Sequence, residues 1–248
     1  LRNKLDEKQQ PYNIIAYHAY DSLIAKQYRD SEHKKILISH VNNYQDTAQQ
    51  IYINFGISNP NSYLGLDILY RNRNSIGKVT IQSLLSQMSS EILSSSKAKS
   101  LTFFAKDELA KKGGKMIDFK ANDLQGNQFK LSSLKGKYIL LSFWSKGCGP
   151  CRMENRNFSD NYQKFRDKIE IVSFSLDNNK AYWIEASRED NIKWTNVSDL
   201  EGETGKIKTQ YNVQSIPASF LINPEGIIIE SFIGFGDEFL KALDKIIK

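Results

Sequence analysis

The chain has 248 residues, 40% hydrophobic and 25% charged, a soluble globular composition with room for one large or two ordinary domains. No apolar run approaches the roughly 18–20 residues of a membrane span. The net charge of +6 is spread thinly, with nothing longer than pairs such as Lys34-Lys35 and Lys111-Lys112, so no nucleic-acid partner is expected, since such a site wants a clustered basic stripe. Leu1 opens the chain without a charged-then-apolar leader, the expectation for a processed or trimmed form.

Up to Lys112 the pattern is helical. Ile14, Ile15, His18, Ala19, Ser22 and Leu23 follow a helical spacing, and a second helix is expected to carry Ile36, Leu37, Val41, Tyr44, Ala48, Ile51 and Tyr52. Asn59-Pro60 reads as the start of a third, with Asn as N-cap and Pro at the first helical position. Thr80 to Leu93 predicts a fourth, with Ile81, Leu84, Leu85, Met88 and Ile92 on one face. A last helix runs toward Lys112 and stops at Gly113-Gly114. His18, His33 and His40 read as surface or packing residues. The division expected is a helical region over 1–112 and a second domain over 113–248.

Beyond Gly113 the text alternates. Met116 to Lys120 predicts a short strand, and Asp123 to Asn127 a turn. Tyr138 to Trp144 is a central strand, followed by a helix to about Lys168 and a second core strand over Ile169–Leu176, with the near-continuous apolar character of parallel sheets. A helix carries Trp183, Ile184 and Ala186, and another lies near Gly205 to Tyr211. Ala218–Ile222 and Ile227–Phe232 form a hairpin across Asn223-Pro224-Glu225-Gly226, and Phe239 to Ile247 closes with an amphipathic helix. Trp183 and Trp194 read as packing residues. The expected class is α/β, a mixed sheet flanked by helices and preceded by an all-α region.

Cys148-Gly149-Pro150-Cys151 holds the only two cysteines of the chain. Strand, tight turn and helix place Cys148 at a helix N-terminus, where the dipole and free N–H groups favour a thiolate, the nucleophile of disulfide exchange. A structural zinc site needs about four protein ligands, and the histidines all lie more than a hundred residues upstream. The pair therefore reads as a redox dithiol, with no metal and no cofactor.

Further residues extend the pattern: Asp118-Phe119, Asp123-Leu124-Gln125-Gly126, Leu131-Ser132-Ser133-Leu134-Lys135-Gly136-Lys137, and Phe143-Trp144 before Cys-Gly-Pro-Cys-Arg. Val172-Ser173, Asp177, Trp183, Trp194 and Ile216-Pro217 before Phe220-Leu221-Ile222-Asn223-Pro224-Glu225-Gly226 complete it. In these residues the segment 113–248, about 55% of the chain, resembles the thioredoxin fold of the TlpA/ResA-like thiol–disulfide oxidoreductases. Residues 1–112 look like the helical segment preceding this domain in exported Bacteroidetes-type relatives, on Asn59-Pro60-Asn61-Ser62-Tyr63.

The resemblance implies an enzyme in which Cys148 attacks, a mixed disulfide forms and Cys151 resolves it. It also implies a cis Ile216–Pro217 bond facing the dithiol, with Ile216, Pro217, Trp144, Gly149 and Pro150 around bound substrate. Its other implications are protein substrates with disulfides or thiols, an upstream electron-donor protein, a periplasmic or cell-envelope location and a possible lipid anchor in the precursor. Three positions depart from the family pattern: Gly147 stands in place of a usual Trp, Ser142 in place of thioredoxin's buried aspartate, and Arg156 in place of a kinking proline. Glu154, one helical turn after Cys151 and matching a glutamate that ResA-type proteins keep near the dithiol, is the candidate proton acceptor; a solvated or ion-paired glutamate is the alternative. Two other functions remain open. One is a cell-envelope binding protein with a vestigial dithiol. The other is a peroxiredoxin-like peroxidase, which needs a Pro and Thr upstream of its cysteine where this chain has Phe-Trp-Ser-Lys-Gly.

Overall fold

The computed structural model describes residues 1–24, 31–236, 239, 241 and 243–245, and the chain divides into two compact units, Leu1–Lys106 and Asp107–Lys248. Asp107 to Lys112 run with the second unit, where the Ala110 N–H donates to the Gln210 carbonyl at 2.8 Å.

In the first unit α1 (Arg2–Ile24) packs on α2 (Ser31–Ser58), and α3 (Tyr63–Arg71), α4 (Arg73–Ile76), α5 (Lys78–Leu85), α6 (Ser90–Ser94) and α7 (Ser96–Lys106) follow. Leu5 and Ala16 of α1 and Val41, Ala48 and Ile53 of α2 are buried, whereas Ile14, Ile15 and Ile36 are exposed. His18 and His40 are exposed; the side chains of Ala19, Ser22, Leu23, His33 and Leu37 lie outside the described ones.

Three helix boundaries differ from expectation, the first two because a local polar group satisfies the backbone first. The N-cap of α3 is Ser62, whose hydroxyl accepts the Gly65 N–H at 3.0 Å. Asn59 instead closes α2, its side-chain amide donating to the Phe55 carbonyl at 2.9 Å. The helix expected over Thr80–Leu93 is broken at Ser89, which caps α6 by accepting the Ile92 N–H; Ile81, Leu84, Leu85, Met88 and Ile92 are all buried nevertheless. The last helix ends at Lys106 rather than Lys112.

The second unit is a seven-stranded mixed sheet. Its strands are β1 (Lys120–Asp123), β2 (Gln128–Lys130), β3 (Tyr138–Trp144), β4 (Ile169–Ser175), β5 (Thr195–Ser198), β6 (Ala218–Ile222) and β7 (Ile228–Ile233), in the spatial order β2-β1-β5-β4-β3-β6-β7. β3, β4 and β5 pair in parallel; β6, β7, β1 and β2 join antiparallel. The predicted strand over Met116–Lys120 lies a few residues later, as β1, where it pairs with β2 across the Asp123–Asn127 turn. The short strand β5 has no counterpart in the sequence reading. α8 (Gly149–Phe165), α9 (Lys180–Glu189) and α10 (Lys206–Gln210) complete the unit, and the helix expected over Phe239–Ile247 lies only partly within the described residues.

Strand period two sorts the side chains. Ile139, Leu141 and Phe143 of β3, with Val172, Phe174, Phe220 and Ile222, pack against Tyr211 and Val213. Leu140, Ile169, Ile171 and Leu221 point to the other face, against Phe158 of α8, Trp194, Phe239 and Leu243. Each such fully buried large side chain is worth about 1.5–3 kcal/mol, enough to hold β3 in the middle of the sheet. Gly65→Ala is expected to destabilise the helical unit by about 2–3 kcal/mol. Its Cβ would sit 1.9 Å from the Asn59 carbonyl oxygen, and backbone has little room to yield. A lower thermal midpoint at 222 nm checks this; an unchanged or raised midpoint would contradict it.

Candidate active site

β3 runs out at Trp144, and the chain turns over Ser145–Cys148, the Cys148 N–H donating to the Ser145 carbonyl at 3.1 Å. Cys148 then caps α8: its backbone is extended and its Sγ accepts the Cys151 N–H at 3.2 Å. A sulfur there meets the orphan N–H groups and the positive end of the dipole, which favour thiolate. Pro150 fits the first turn because it lacks an N–H that the helix could not use. Cys148 and Cys151 are joined by a disulfide with Cα atoms 5.2 Å apart. Cys148 is half-buried, Cys151 fully buried, and Gly147, Gly149 and Pro150 are exposed around them.

The Ile216–Pro217 bond is cis, and the Ile216 carbonyl oxygen lies 3.6 Å from Cys148 Sγ. Ile216 is half-buried and Pro217 buried, at the entry to β6. Trp144 is fully buried in a cluster with Cys151, Trp183 and Ala186, so it packs beneath the dithiol and is out of reach of the substrate contact that the resemblance implied. Trp183 and Trp194 pack as expected, their indole N–H groups donating to Asn196 Oδ1 (3.0 Å) and Ser173 Oγ (2.8 Å).

Glu154 faces the sheet and is 1% exposed. Ser142 of β3 donates to its Oε2 at 3.4 Å and Ser219 of β6 to its Oε1 at 3.2 Å. Removal from water pushes its pKa up from the ordinary 4.5 to about 7, against the pull of the two hydroxyls. Neither the solvated nor the ion-paired alternative describes it. The sequence reading missed Ser219 as a partner, although Ser142 and Ser219 are polar interruptions in apolar strands, a signal that something polar lies opposite. It also passed over the Asp177 carboxylate as a partner of the Lys146 N–H, which it accepts at 3.0 and 3.2 Å. Met153, 57% exposed one turn into α8, was likewise not singled out.

On the other side of α8, Arg152 donates to Asp190 and, at 2.8 Å, to Glu189, while Asn155 donates to Asp190 at 3.3 Å. Asp190 is buried and also pairs with Arg156 at 3.3 Å. Among the described residues no group of three His, Cys, Asp or Glu is placed to hold a metal ion.

Comparison with known proteins points the same way as the geometry. The AhpC/TSA family profile matches residues 113–231. The chain is 32% identical over 133 residues to the thiol–disulfide oxidoreductase ResA of Bacillus cereus, covering 53% of this chain and 75% of that protein. It is 30% identical over 132 residues to ResA of Bacillus subtilis, covering 53% and 72%. The thioredoxin domain of a thiol–disulfide oxidoreductase from Bacteroides vulgatus superposes with a TM-score of 0.52 at 28% identity, over 56% of this chain and 99% of that domain.

The Glu154 carboxyl makes stability depend on pH even with the disulfide intact. Between pH 4.5 and about 7 the folded chain keeps a proton that the unfolded chain releases, so stability falls as pH rises through that window. The fall should total about 3 kcal/mol. Glu154→Gln should make it smaller, leaving the share of the half-buried Asp199 carboxyl, whose pKa desolvation raises to about 6, as denaturant titrations of the oxidised protein at pH 5 and pH 8 will test. Equal pH dependence in both proteins would show that the carboxyl ionises freely when folded.

Proposed function

The chain belongs to the ResA-like thiol–disulfide oxidoreductases, and from that membership we propose that it reduces disulfides of exported proteins, with Cys148 as the attacking sulfur and Cys151 as the resolving one. The observation that carries the assignment is the asymmetry of the pair. Cys148 Sγ caps α8 and is half-exposed, whereas Cys151 is fully buried on the same helix that buries Glu154.

The Cys148 thiolate attacks one sulfur of a substrate disulfide, forming a mixed disulfide and releasing one substrate thiolate. Cys151, losing its proton to Glu154, then attacks Cys148 Sγ. The Cys148–Cys151 disulfide forms and the second substrate thiolate leaves, so two electrons pass from the dithiol to the substrate. Glu154 suits the proton step because its pKa of about 7 matches the working pH, and a carboxyl at its ordinary pKa would be a weak acceptor. Ile216 and Pro217, facing Cys148, take the backbone of the substrate, and the exposed Gly149 and Pro150 leave the sulfur open to it.

Reduction of a substrate leaves this protein oxidised, so an upstream electron-donor protein must restore the dithiol. We place the protein in the periplasm or cell envelope, with a lipid anchor in the precursor. No described helix is long and apolar enough to cross a membrane.

Insulin reduction tests the assignment. Cys148→Ser should fall to the uncatalysed rate, and Cys151→Ser should accumulate a mixed disulfide that dithiothreitol releases. Undiminished turnover by Cys148→Ser would refute the attacking role, and an inactive wild-type protein would favour a binding role with a vestigial dithiol. The wild-type rate should also rise through about pH 7 as Glu154 ionises. Superimposable pH–rate profiles for wild type and Glu154→Gln would leave proton transfer to water.

A further inference from the structure

The turn that delivers Cys148 is closed on itself by the Cys148 N–H donating to the Ser145 carbonyl at 3.1 Å. Gly147 is exposed, and a Cβ built there would meet nothing within 4 Å. The anchor lies on the neighbouring strand. β4 continues one residue past its end, where the Leu176 N–H donates to the Trp144 carbonyl at 2.8 Å, and the next residue is Asp177. Its carboxylate takes the Lys146 backbone N–H on both oxygens, at 3.0 and 3.2 Å. The carboxylate is itself oriented. Ser175 Oγ donates to Asp177 Oδ2 at 2.8 Å and accepts the Asp177 N–H at 3.1 Å. Ser175 is fully buried, and its carbonyl accepts the Ser198 hydroxyl at 2.9 Å, so the clamp is fastened to three strands.

We propose that Asp177 is the positioning residue of the nucleophile: by fixing the Lys146 amide it fixes the Ser145–Cys148 turn, and so holds Cys148 Sγ where it accepts the Cys151 N–H. This rests on Cys148 being the attacking sulfur. The physical argument is that a helix N-terminus favours a thiolate only within hydrogen-bond reach. A sulfur swinging with a loose turn spends part of its time out of reach, and its pKa rises.

Asp177 also carries a charge, which acts in the opposite sense, since a nearby anion raises a thiol pKa. The other charged groups around the site are largely matched among themselves. Lys146 Nζ pairs with Glu185 of α9, and Arg152 of α8 pairs with Asp190 and Glu189. Glu154 lies beneath α8 between Ser142 and Ser219, and the Ile216–Pro217 segment brings no charge. The two roles of Asp177 therefore predict shifts of opposite sign.

The test is the pH dependence of iodoacetamide alkylation of the reduced full-length chain, with the modified cysteine located by peptide mass spectrometry. Asp177→Ala should move the Cys148 profile about one unit alkaline, a roughly tenfold slower reaction at pH values below the thiol's pKa, the scale of one lost charge-assisted hydrogen bond. Asp177→Asn keeps an oxygen acceptor for the Lys146 N–H and should stay within about threefold of wild type. Ser175→Ala, which loosens the carboxylate without removing it, should shift the profile in the same direction by less, and it serves if Asp177→Ala does not fold. An acid shift in both Asp177 variants would show that charge outweighs positioning and overturn the proposal. So would a loss of thermal stability in Asp177→Ala with the profile unmoved. If Cys151 is alkylated first in the wild-type protein, the assignment of the attacking sulfur fails and the proposal with it. Cys148 reacting first with an unmoved Asp177→Ala profile removes the proposal alone.

Discussion

A carboxyl group buried to 1% exposure constrains everything around the dithiol. Unpaired, it would cost several kcal/mol, so the fold supplies two hydroxyls and leaves the group protonated over much of the acid range. Those hydroxyls come from strand register. Ser142 of β3 stands opposite Ser219 of β6 on one side and Ser173 of β4 on the other, and all three share the face toward α8. Ser142 and Ser219 hold Glu154, and Ser173 takes the Trp194 indole. A slip of one residue in either pairing would turn that strand's serine to the opposite face and bring an apolar side chain against the carboxyl. The apolar cores above and below the sheet therefore fix the register, and the register fixes which hydroxyls meet the buried carboxyl.

The second constraint is the contest over Cys148. Its sulfur accepts the Cys151 N–H at 3.2 Å, which favours a thiolate, yet it also faces the Ile216 carbonyl oxygen at 3.6 Å, whose partial negative charge opposes one. A helix N-terminus contributes typically 0.3–1 kcal/mol, and up to about 2 kcal/mol in partly buried geometry. The amide contact is the shorter of the two. The same carbonyl can accept a hydrogen bond from a neutral thiol, which gives the reduced pair a settled partner when Cys148 is protonated.

Much of this was legible in the chain. Tyr138–Trp144 is found with the ends that its apolar run indicated, because a fully buried strand admits no ambiguity of face. Cys148, Cys151 and Pro217 were readable from motif and order. Glu154 was readable as a candidate, but its burial was not, since helical spacing places it toward Cys151 without saying what lies across from it. Short polar contacts were the least legible. Ser62 and Ser89 captured caps that Asn59 and a continuous helix had been expected to provide. β5, with Asn196 and Ser198 in a four-residue strand, has too little apolar text to separate it from a loop. Asp177 was visible only as part of a family pattern, because its bond to Lys146 crosses from one strand end to another.

The rotation of α8 is what brings these parts together. Cys151, Glu154 and Phe158 fall on one stripe of the helix and are buried toward the sheet. Arg152, Asn155, Arg156 and Ser159 fall on the adjacent stripe, and all four bond to the end of α9 and the residues just past it. Arg152, Asn155 and Arg156 meet Asp190, and Ser159 donates to the Asn191 carbonyl at 2.9 Å. A buried ion pair adds little net stability over apolar packing of the same volume, whereas removing one partner is strongly destabilising. What such a network supplies here is an angle. Turning α8 by one residue, about 100°, would tear both arginines from Asp190 and swing Glu154 away from Ser142 and Ser219. Arg156 thus takes part in setting the angle of α8. The helix is located by charge on one flank and by apolar packing on the other, and the angle between the two places Glu154 between Ser142 and Ser219.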